Sequence, residues 1–382
     1  MKNLKEISLY VHIPFCKQKC FYCDFPSYSG LEDLREDYVD ALCKEIEDKA
    51  KGYLIKSIFI GGGTPSYLET HQIAKMLKSI SKLEFAKDME FSMECNPGAL
   101  EEDKLVTMLN GGVNRISMGL QAVQDGLLKK IGRIHTFKEF EENFKLARKV
   151  GFKNINVDLM FGLPNQTVEE WKETLETIAT IGPNHISAYS LIIEEGTSFY
   201  QMWNEDKLIL PVEDDEREMY EITKDTLKKY GYNQYEISNY AKNGYECEHN
   251  KVYWKCLPYL GVGSSSSSFM DGCRFKNTNN VKQYIDDINS KNSAEEERIE
   301  NSREDNIEEF MFMGLRLVEG IDKEEFKSRF GINIESIYGD IIAKNRIEGL
   351  LKEENNKIFL TEKGLELSNK VMSELMLDKE IH

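Results

Sequence analysis

The sequence of 382 residues contains no apolar run long enough to cross a membrane. A spanning helix needs about 18 or more consecutive apolar residues, and none of the apolar runs approaches that length. The first residues, MKNLKEISLYVHIPFC, also lack the long apolar stretch and the small-residue cleavage site of a secretory leader. These absences argue against a transmembrane segment and predict a cytoplasmic location.

A surplus of positive charge is also missing. Asp and Glu number 66 against 49 Lys and Arg, which gives a formal net charge of −17. Nucleic-acid binding needs a basic surface that neutralises phosphates, and anionic membranes attract basic segments. The composition therefore argues against both kinds of partner. A hydrophobic fraction of 41% and a charged fraction of 30% are typical of a globular protein with a sizeable core.

The eight cysteines lack the spacing of a disulfide framework or of a zinc site. Structural zinc needs four N or S ligands at related spacings, and disulfides are rare in a reducing compartment. Cys16, Cys20 and Cys23 instead form one C-x3-C-x2-C group, while nearby His12 lies in a strand-like apolar run. Cubes that transfer electrons are closed by four cysteines. Three close thiolates therefore predict a 4Fe–4S cluster with one iron open to a further ligand.

Short apolar runs alternate with amphipathic segments at a pitch of about thirty residues, the pattern of successive βα units. Residues 137–147 place their apolar side chains on one helical face, and Thr167 with Glu170 resembles a capping box. Six units predict an α/β fold with a partial (β/α)6 barrel, and a flat, doubly wound sheet is the alternative. The predicted strands are residues 7–13, 57–61, 89–94, 114–119, 154–160 and 185–193.

Polar or glycine-rich residues follow five of these predicted strands. The first strand leads to the cysteine triplet, and the next four end in GGGTP, MECNP, GLQ and VDLMFGLP. Each ending alone has an ordinary explanation, since glycines make tight turns and carboxylates cap helices. In a parallel barrel, however, the carboxyl ends of the strands meet and form the active site. Together, the five endings predict one shared site above the sheet.

The pattern changes in the second half of the chain. Residues 213–231 predict a charged helix, 232–241 a strand, 244–280 loops or short strands, and 293–302 a solvated acidic connector. Helices followed by the strand and turn of NKIFLTEKG predict a small winged-helix-like module, which we interpret as packing rather than DNA binding. The predicted domains are a core over 1–200, an extension and connector over 201–300, and an α-rich C-terminal domain over 301–382.

The cysteine triplet after a first strand, with Tyr22 before its last cysteine, resembles the radical S-adenosylmethionine (SAM) superfamily. From about residue 7 to the C-terminus, LYVHIPFC, FIGGGTPS, ECNPG, RISMGLQ, DLMFGLP and YEISNYA resemble one branch of it. That branch holds oxygen-independent coproporphyrinogen III oxidase and a heme chaperone. The resemblance implies that SAM binds the open iron. It also implies SAM contacts at Tyr10, Tyr22, Gly62, Gly63, Thr64, Glu94, Gln121, Arg133 and Asp158.

Two short stretches bear on the choice within this branch. The oxidase carries a further cysteine two residues after the third, where this chain has Phe25. HNKVYW, residues 249–254, resembles the proposed heme-binding stretch of the chaperone, which implies His249 as an axial ligand and Cys247 as a second candidate. These features favour a heme chaperone. A porphyrin oxidase and a radical enzyme with an unrelated substrate remain alternatives.

One stretch departs from the branch. After YLGVG the branch usually has a sequence close to Pro-Gly-Ala-His-Ser, whereas this chain has Ser264–Ser268. The serine run predicts a flexible loop and puts in doubt any ligand or proton-transfer role at that position.

Two protein partners are expected. A reducing redox protein must supply electrons to the cluster, and Lys17 and Lys19 offer it a local basic contact. A chaperone also requires a heme-accepting protein.

Overall fold

The computed structural model describes residues 4–377 and places six parallel strands at the centre of one open sheet. Their order in the sheet follows the chain from β1 to β6, whereas a doubly wound sheet reverses at a switch point. The predicted partial barrel is therefore confirmed. The six strands are β1 (Lys5–Ile13), β2 (Tyr53–Gly62), β3 (Glu84–Cys95), β4 (Arg115–Gln121), β5 (Asn154–Phe161) and β6 (His185–Ser190).

Helices connect these strands and cover one face of the sheet, because right-handed crossovers between consecutive parallel strands fall on the same side. Within residues 4–377, no helix is long and apolar enough to cross a membrane. The connecting helices are α1 (Arg35–Lys49), α2 (Thr70–Ile80), α3 (Glu102–Asn110), α4 (Asp125–Lys130), α5 (Phe137–Val150) and α6 (Val168–Ile181).

Side-chain polarity alternates along the six strands. Successive residues of a strand point to opposite faces, and the odd-numbered residues of β1, from Ile7 to Ile13, are buried in the core against the helices. Ser8, Tyr10 and His12 lie between them and face the inside of the barrel. The corresponding inner positions of the other strands include Ser57, Glu90, Glu94, Arg115, Ser117, Asn156, Asp158, His185 and Ser187.

The sequence signals at the helix ends are confirmed. Thr167 Oγ1 accepts the backbone N–H of Glu170 at 3.2 Å, and the Glu170 carboxylate accepts the N–H of Thr167 at 3.0 Å. This capping box satisfies two N–H groups that have no partner within the helix. Gly151 and Gly182 end α5 and α6 with φ values of 123° and 83°, which glycine adopts without a steric penalty.

Further strands extend the sheet on both sides. The strand β9 (Tyr259–Val262) pairs in parallel with β1, and β8 (Asn239–Ala241) pairs in antiparallel fashion with β6. The expected single strand over 232–241 is two short strands, β7 and β8. The added elements are α7 (Ser198–Asn204), α8 (Glu213–Lys229), β7 (Asn233–Glu236), β8 (Asn239–Ala241), α9 (Glu248–Trp254), β9 (Tyr259–Val262), β10 (Ser267–Met270), β11 (Cys273–Asn277), α10 (Val281–Lys291) and β12 (Glu295–Glu300).

Helix α9 lies against the polar inner face of the barrel, below the carboxyl ends of the strands. The Glu90 carboxylate accepts the backbone N–H groups of Glu248 at 3.0 Å and His249 at 3.2 Å, a favourable place for a negative charge at a helix N-terminus. The His249 ring lies 5.4 Å from that of Phe59. The prediction of loops or short strands over 244–280 missed this helix, because seven residues depend on tertiary contacts rather than on helix propensity.

A second hydrophobic core holds the C-terminal elements together. They follow one another as helix, strand, two helices and two strands, which is the order of a winged helix. Their bounds are α11 (Arg303–Gly314), β13 (Ile321–Asp322), α12 (Lys323–Phe330), α13 (Glu335–Ile347), β14 (Leu351–Glu354), β15 (Lys357–Leu360), α14 (Glu362–Glu366) and α15 (Ser368–Ser373).

The proposed domain limits stay a prediction, and their outermost residues, 1–3 and 378–382, lie outside the described residues.

The prediction of a flexible loop at Ser264–Ser268 is wrong. Four of the five serines are buried, and the last two residues begin β10. The Ser264 N–H donates to the Tyr38 hydroxyl at 3.0 Å, and Ser268 Oγ accepts the N–H of Gly261 at 2.8 Å. The hydroxyls of Ser266 and Ser268 contact the backbone of Gly263 and Gly261, so this segment is a packed corner rather than a mobile loop.

The prediction of a solvated connector at 293–302 is correct in its solvent exposure and wrong in its structure. Residues Glu295–Glu300 form β12, which pairs in antiparallel fashion with β11 at the edge of the sheet. All residues of β12 after Glu295 are exposed, with Ile299 among them. The charge pattern correctly indicated solvent exposure but concealed the strand.

We expect Gly364→Ala to destabilise the C-terminal core. A Cβ at Gly364 would lie 2.0 Å from the carbonyl oxygen of Leu350, so the backbone must shift at a cost of about 1–3 kcal/mol. Gly339 in α13 is the matched control, since its nearest neighbour is 3.9 Å away and Gly339→Ala should stabilise the helix by about 1 kcal/mol. Urea denaturation measures both, and equal midpoints for the two variants would contradict the packing at Leu350.

Candidate cluster and cofactor site

The cysteine loop leaves the end of β1 and lines a cavity above the inner face of the barrel. Cys16 is buried, whereas Cys20 and Cys23 are partly exposed, and all three are free thiols. The loop is tied down by backbone bonds from Cys16 N–H to Tyr28 O at 2.9 Å and from Phe21 N–H to Ile131 O at 3.1 Å. The strand therefore delivers three thiols to a cavity of about 240 Å³.

The three thiols suit a cube better than a single ion. In the described chain, no group of three His, Cys, Asp or Glu side chains is placed to hold one metal ion. A cube spreads its thiolate ligands over separate corners, so this spacing does not conflict with a cluster. Cys95 also lines the cavity, but its thiol points to the Met93 carbonyl oxygen at 3.7 Å.

Burial favours the protonated thiols of Cys16 and Cys23 in the metal-free protein. It raises the pKa of Cys16, against a weaker opposing effect of Thr64, whose hydroxyl lies 3.4 Å from Sγ. Burial also raises the pKa of Cys23 to about 11. Metal coordination requires thiolates, so cluster assembly would release these protons.

The glycines after β2 form a floor that excludes side chains. Gly62 has a φ of 110°, and a Cβ there would lie 2.5 Å from the His12 ring. A Cβ at Gly63 would lie 2.8 Å from the Phe15 carbonyl oxygen and 3.0 Å from Cys16 Sγ. Both positions therefore require glycine, and the GGGTP turn is held directly against the cysteine loop.

His12 joins this floor to the far end of the cysteine loop. Its Nδ1 accepts the Tyr10 hydroxyl at 2.9 Å, and its Nε2–H donates to the Pro26 carbonyl oxygen at 2.9 Å. Burial lowers the pKa of His12 to about 4, so the ring is neutral and the Pro26 contact selects one tautomer. Tyr10, one of the predicted SAM contacts, is engaged in this support and does not line the cavity.

Two carboxylates stand on the opposite wall of the cavity. Glu94 Oε2 accepts the Gly62 N–H at 3.2 Å. Burial, with a smaller contribution from the charge of Asp158, raises the pKa of Glu94 to about 8. Asp158 accepts the hydroxyl of Ser117 at 2.9 Å and the amide of Asn156 at 2.7 Å. The wall can therefore accept hydrogen bonds and stabilise a cation.

A guanidinium group faces the cysteine loop from the third side. Arg133 Nη1 points to Cys20 Sγ at 3.6 Å, and Nη2 donates to Asn96 Oδ1 at 2.7 Å and to the Gly119 carbonyl oxygen. Its Nε has no hydrogen-bond partner in the described structure. Such a donor suits a carboxylate ligand. Burial raises the pKa of nearby Tyr22, against the effect of Arg133.

Most of the predicted SAM-contact residues share this cavity. Tyr22, Gly62, Gly63, Thr64, Glu94, Gln121, Arg133 and Asp158 all line it. Gln121 has a φ of 79° at the end of β4, an unusual backbone conformation for a residue other than glycine. Asn96, which follows Glu94 in the strand ending MECNP, also lines the cavity, whereas sequence reasoning missed Ser117, Met160 and Tyr189. These three residues occupy inward positions of β4, β5 and β6 that period-2 counting would have found.

The predicted heme ligands lie away from this cavity. His249 Nδ1 contacts Ser57 Oγ at 2.9 Å, and Nε2 contacts the Tyr253 hydroxyl at 2.9 Å. Burial lowers the pKa of His249 to about 3. The Cys247 thiol is buried and donates to Glu90 at 3.4 Å. Both side chains belong to the interior that α9 fills.

The fold and the cysteine loop together define a class of protein. Residues 10–178 match the Radical SAM superfamily, and residues 301–367 match the HemN C-terminal domain. The molecule is therefore a radical SAM protein, and membership of that superfamily implies a 4Fe–4S cluster and SAM.

Full-length relatives narrow the family. The chain is 39% identical over 369 residues to the heme chaperone HemW of Bacillus subtilis (strain 168), over 95% of this chain and 97% of that protein. It is 35% identical over 376 residues to heme chaperone HemW of Escherichia coli (strain K12), over 94% and 97% respectively. The chain belongs to the HemW family.

A solved structure supports the same fold. Coproporphyrinogen III oxidase (HemN) from Escherichia coli, described as a radical SAM enzyme, superposes with a TM-score of 0.85 at 25% identity. The match covers 98% of this chain and 90% of that one.

We expect His12→Phe to loosen the cysteine loop without removing a thiol. The change leaves the Pro26 carbonyl and the Tyr10 hydroxyl without their partner, at about 1–3 kcal/mol for each buried group. Hydrogen exchange of the amides at residues 27–28 in metal-free protein should accelerate. His71→Phe, on the surface, is the control and should leave that exchange unchanged. Unaltered exchange in His12→Phe would show that the loop does not depend on this ring.

Proposed function

We propose that this chain holds a 4Fe–4S cluster on Cys16, Cys20 and Cys23, binds SAM beside it, and acts as a heme chaperone. The observation that carries the first part is the convergence of three thiols, the glycine floor and opposite charges in one cavity. Family membership supports the second part, since the relatives are named heme chaperones. Heme would be received at this protein and passed to an acceptor protein.

Each wall of the cavity has a distinct task in this proposal. The thiolates of Cys16, Cys20 and Cys23 would hold the cluster, and SAM would bind beside it in the same cavity. When bound, the cluster and SAM would supply radical chemistry to this cavity. Arg133 would orient the SAM carboxylate, and Glu94 and Asp158 would accept hydrogen bonds from the amine or the ribose.

Phe25 favours the chaperone over the porphyrin oxidase. It stands where the oxidase carries a further cysteine, it lines the cavity, and 61% of its surface is exposed. A large apolar side chain at the mouth suits contact with an apolar ligand and cannot supply another thiolate. The oxidase remains the second candidate because its structure superposes over almost the whole chain.

Heme ligation by His249 is opposed by the packing of its ring. Both ring nitrogens have partners, and the ring is completely buried. Ligation there would require α9 to leave the barrel and expose Ser57 and Glu90, groups that now satisfy its ring and its N-terminus. The proposal of a heme chaperone does not require this residue.

We expect cluster-loaded protein to bind heme and to lack oxidase activity. After anaerobic reconstitution with iron, sulfide and SAM, heme titration should give a Soret band with saturable 1:1 binding. The same preparation with coproporphyrinogen III, SAM and a reductant should form no protoporphyrinogen IX. Catalytic formation of that product would replace the chaperone with the oxidase, and heme binding no tighter than to an unrelated acidic protein would reject the chaperone.

We expect SAM binding to release a proton from Glu94 near neutral pH. The pKa of Glu94 is about 8 in the free protein, so this carboxyl is largely protonated at pH 7, and a nearby cation favours its ionised form. Apparent affinity should therefore increase as the pH rises from 6 to 8. The limit is about tenfold per pH unit, because each unit corresponds to 1.36 kcal/mol.

Calorimetry in buffers of different ionisation enthalpy measures this proton release. Glu94→Gln keeps an acceptor for the Gly62 N–H and serves as the matched variant, which should bind SAM with less proton release than wild type. Equal release by wild type and Glu94→Gln would show that the proton comes from another group.

A further inference from the structure

The described chain offers little imidazole to an incoming heme. His12, His135, His185 and His249 are each at most 5% exposed. His71 is exposed but lies on a helix surface, paired with Glu36 at 3.2 Å. An iron ligand that needs no unfolding must therefore be sought among other side chains that reach a cavity.

One cavity outside the cluster site contains a thiol. It has a volume of about 480 Å³, within the usual range of ligand pockets, and lies where α11 and α12 face the turn between β10 and β11. We call it the Cys256 pocket, after the residue that follows α9 by two positions. The residues that line it include Cys256, Phe269, Arg303, Phe310, Arg329 and Phe330.

Helix α9 runs from the interior of the barrel to this pocket. His249 near its beginning points into the barrel, whereas Cys256 follows its end and lines the pocket. The thiol is free and partly exposed. Burial and the neighbouring Glu309 raise its pKa to about 12. The pocket therefore contains a protonated thiol at neutral pH. A ferric ion can convert it to a thiolate, because metal coordination deprotonates a thiol.

The walls of the pocket suit a large apolar ring. The rings of Phe310 and Phe330 are 5.6 Å apart and nearly perpendicular, and Phe269 faces the same space. The Arg329 guanidinium lies 4.9 Å from the centre of the Phe310 ring. Aromatic and cationic groups are thus gathered at one place on a chain whose net charge is −17.

The two arginines of the pocket differ in whether a carboxylate pairs with them. Arg329 is paired with Glu325 at 2.6 Å. Arg303 donates to the Phe330 carbonyl oxygen at 2.7 Å, and no ion pair of the described residues involves it. Its positive charge is therefore available to a carboxylate at the rim of the pocket.

We propose that the Cys256 pocket binds heme, with the Cys256 thiolate as axial ligand of the ferric iron and Arg303 at a propionate. This inference rests on the proposed heme-chaperone function and assigns its ligand site. On binding, an Fe–S bond forms and the thiol proton passes to solvent, with no change in oxidation state. The three phenylalanines contact the apolar porphyrin, which a pocket of this kind can hold without displacing α9.

The test is a titration of ferric heme into the full-length protein and its variants. Cys256→Ala should lose the thiolate signature in the Soret region and in electron paramagnetic resonance, and should bind at least about tenfold more weakly. Cys273→Ala, which removes another partly exposed cysteine, should match wild type. Arg303→Gln should weaken binding about tenfold, or about 1.4 kcal/mol, with an unchanged spectrum, since a charged hydrogen bond is lost. Arg298→Gln on exposed β12 is its control.

A second measurement avoids dependence on one variant. Bound heme should protect Cys256, but not Cys273, from alkylation as measured by mass spectrometry. Wild-type spectra and affinity in folded Cys256→Ala, or alkylation of Cys256 at the same rate with heme bound, would overturn the pocket while leaving the chaperone function intact. Failure of wild-type protein to bind heme at all would instead reject the proposed function.

Discussion

The alternation of polar and apolar side chains along six parallel strands is the constraint on which the rest of the molecule depends. It assigns one face of the sheet to the helices and leaves the other lined by hydroxyls, amides, carboxylates and Arg115. The inner face of such a barrel cannot close on itself as an apolar core, because buried polar groups need partners. Helix α9 supplies hydrogen-bond partners to the polar side chains inside the barrel. The residues around the cavity supply them at the carboxyl ends of the strands. These are the two levels of the barrel interior.

The polar interior connects these two levels by hydrogen bonds. Asp158 at the cavity contacts Asn156 at 2.7 Å, and Asn156 contacts His185 at 2.6 Å. His185 in turn contacts the Tyr235 hydroxyl at 2.8 Å, which accepts the backbone N–H of Cys247 just before α9. The cofactor cavity and helix α9 therefore share one hydrogen-bond network. Removing any one side chain from this network would leave a buried polar group without its partner. This argues for α9 as a structural element of the barrel.

Sequence reasoning recovered what depends on local pattern. Strand periodicity and helix caps such as Thr167 located the barrel, and the strand endings located most of the cavity. It missed features that depend on long-range contacts, such as Glu90 capping α9, Tyr38 organising the serine corner, and His12 supporting Pro26. His249 shows the same limit, because a motif names a residue type and spacing but not the direction of a buried side chain. The structure confirms neither its ligand role nor the SAM contacts, which remain proposals.

The two edges of the twelve-stranded sheet are protected in different ways. At the β7 edge, the chain forms backbone hydrogen bonds with residues 316–318. Ile237 N–H donates to the Arg316 carbonyl oxygen at 3.1 Å, and Val318 N–H donates to the Tyr235 carbonyl oxygen at 3.0 Å. β12 carries the sequence EEERIE along an exposed edge. Unpaired strand edges are templates for aggregation, and charged side chains discourage it. The acidic side chains of β12 thus discourage this edge from pairing with a strand of a neighbouring molecule. Their contribution is to the solubility of the protein rather than to cofactor binding.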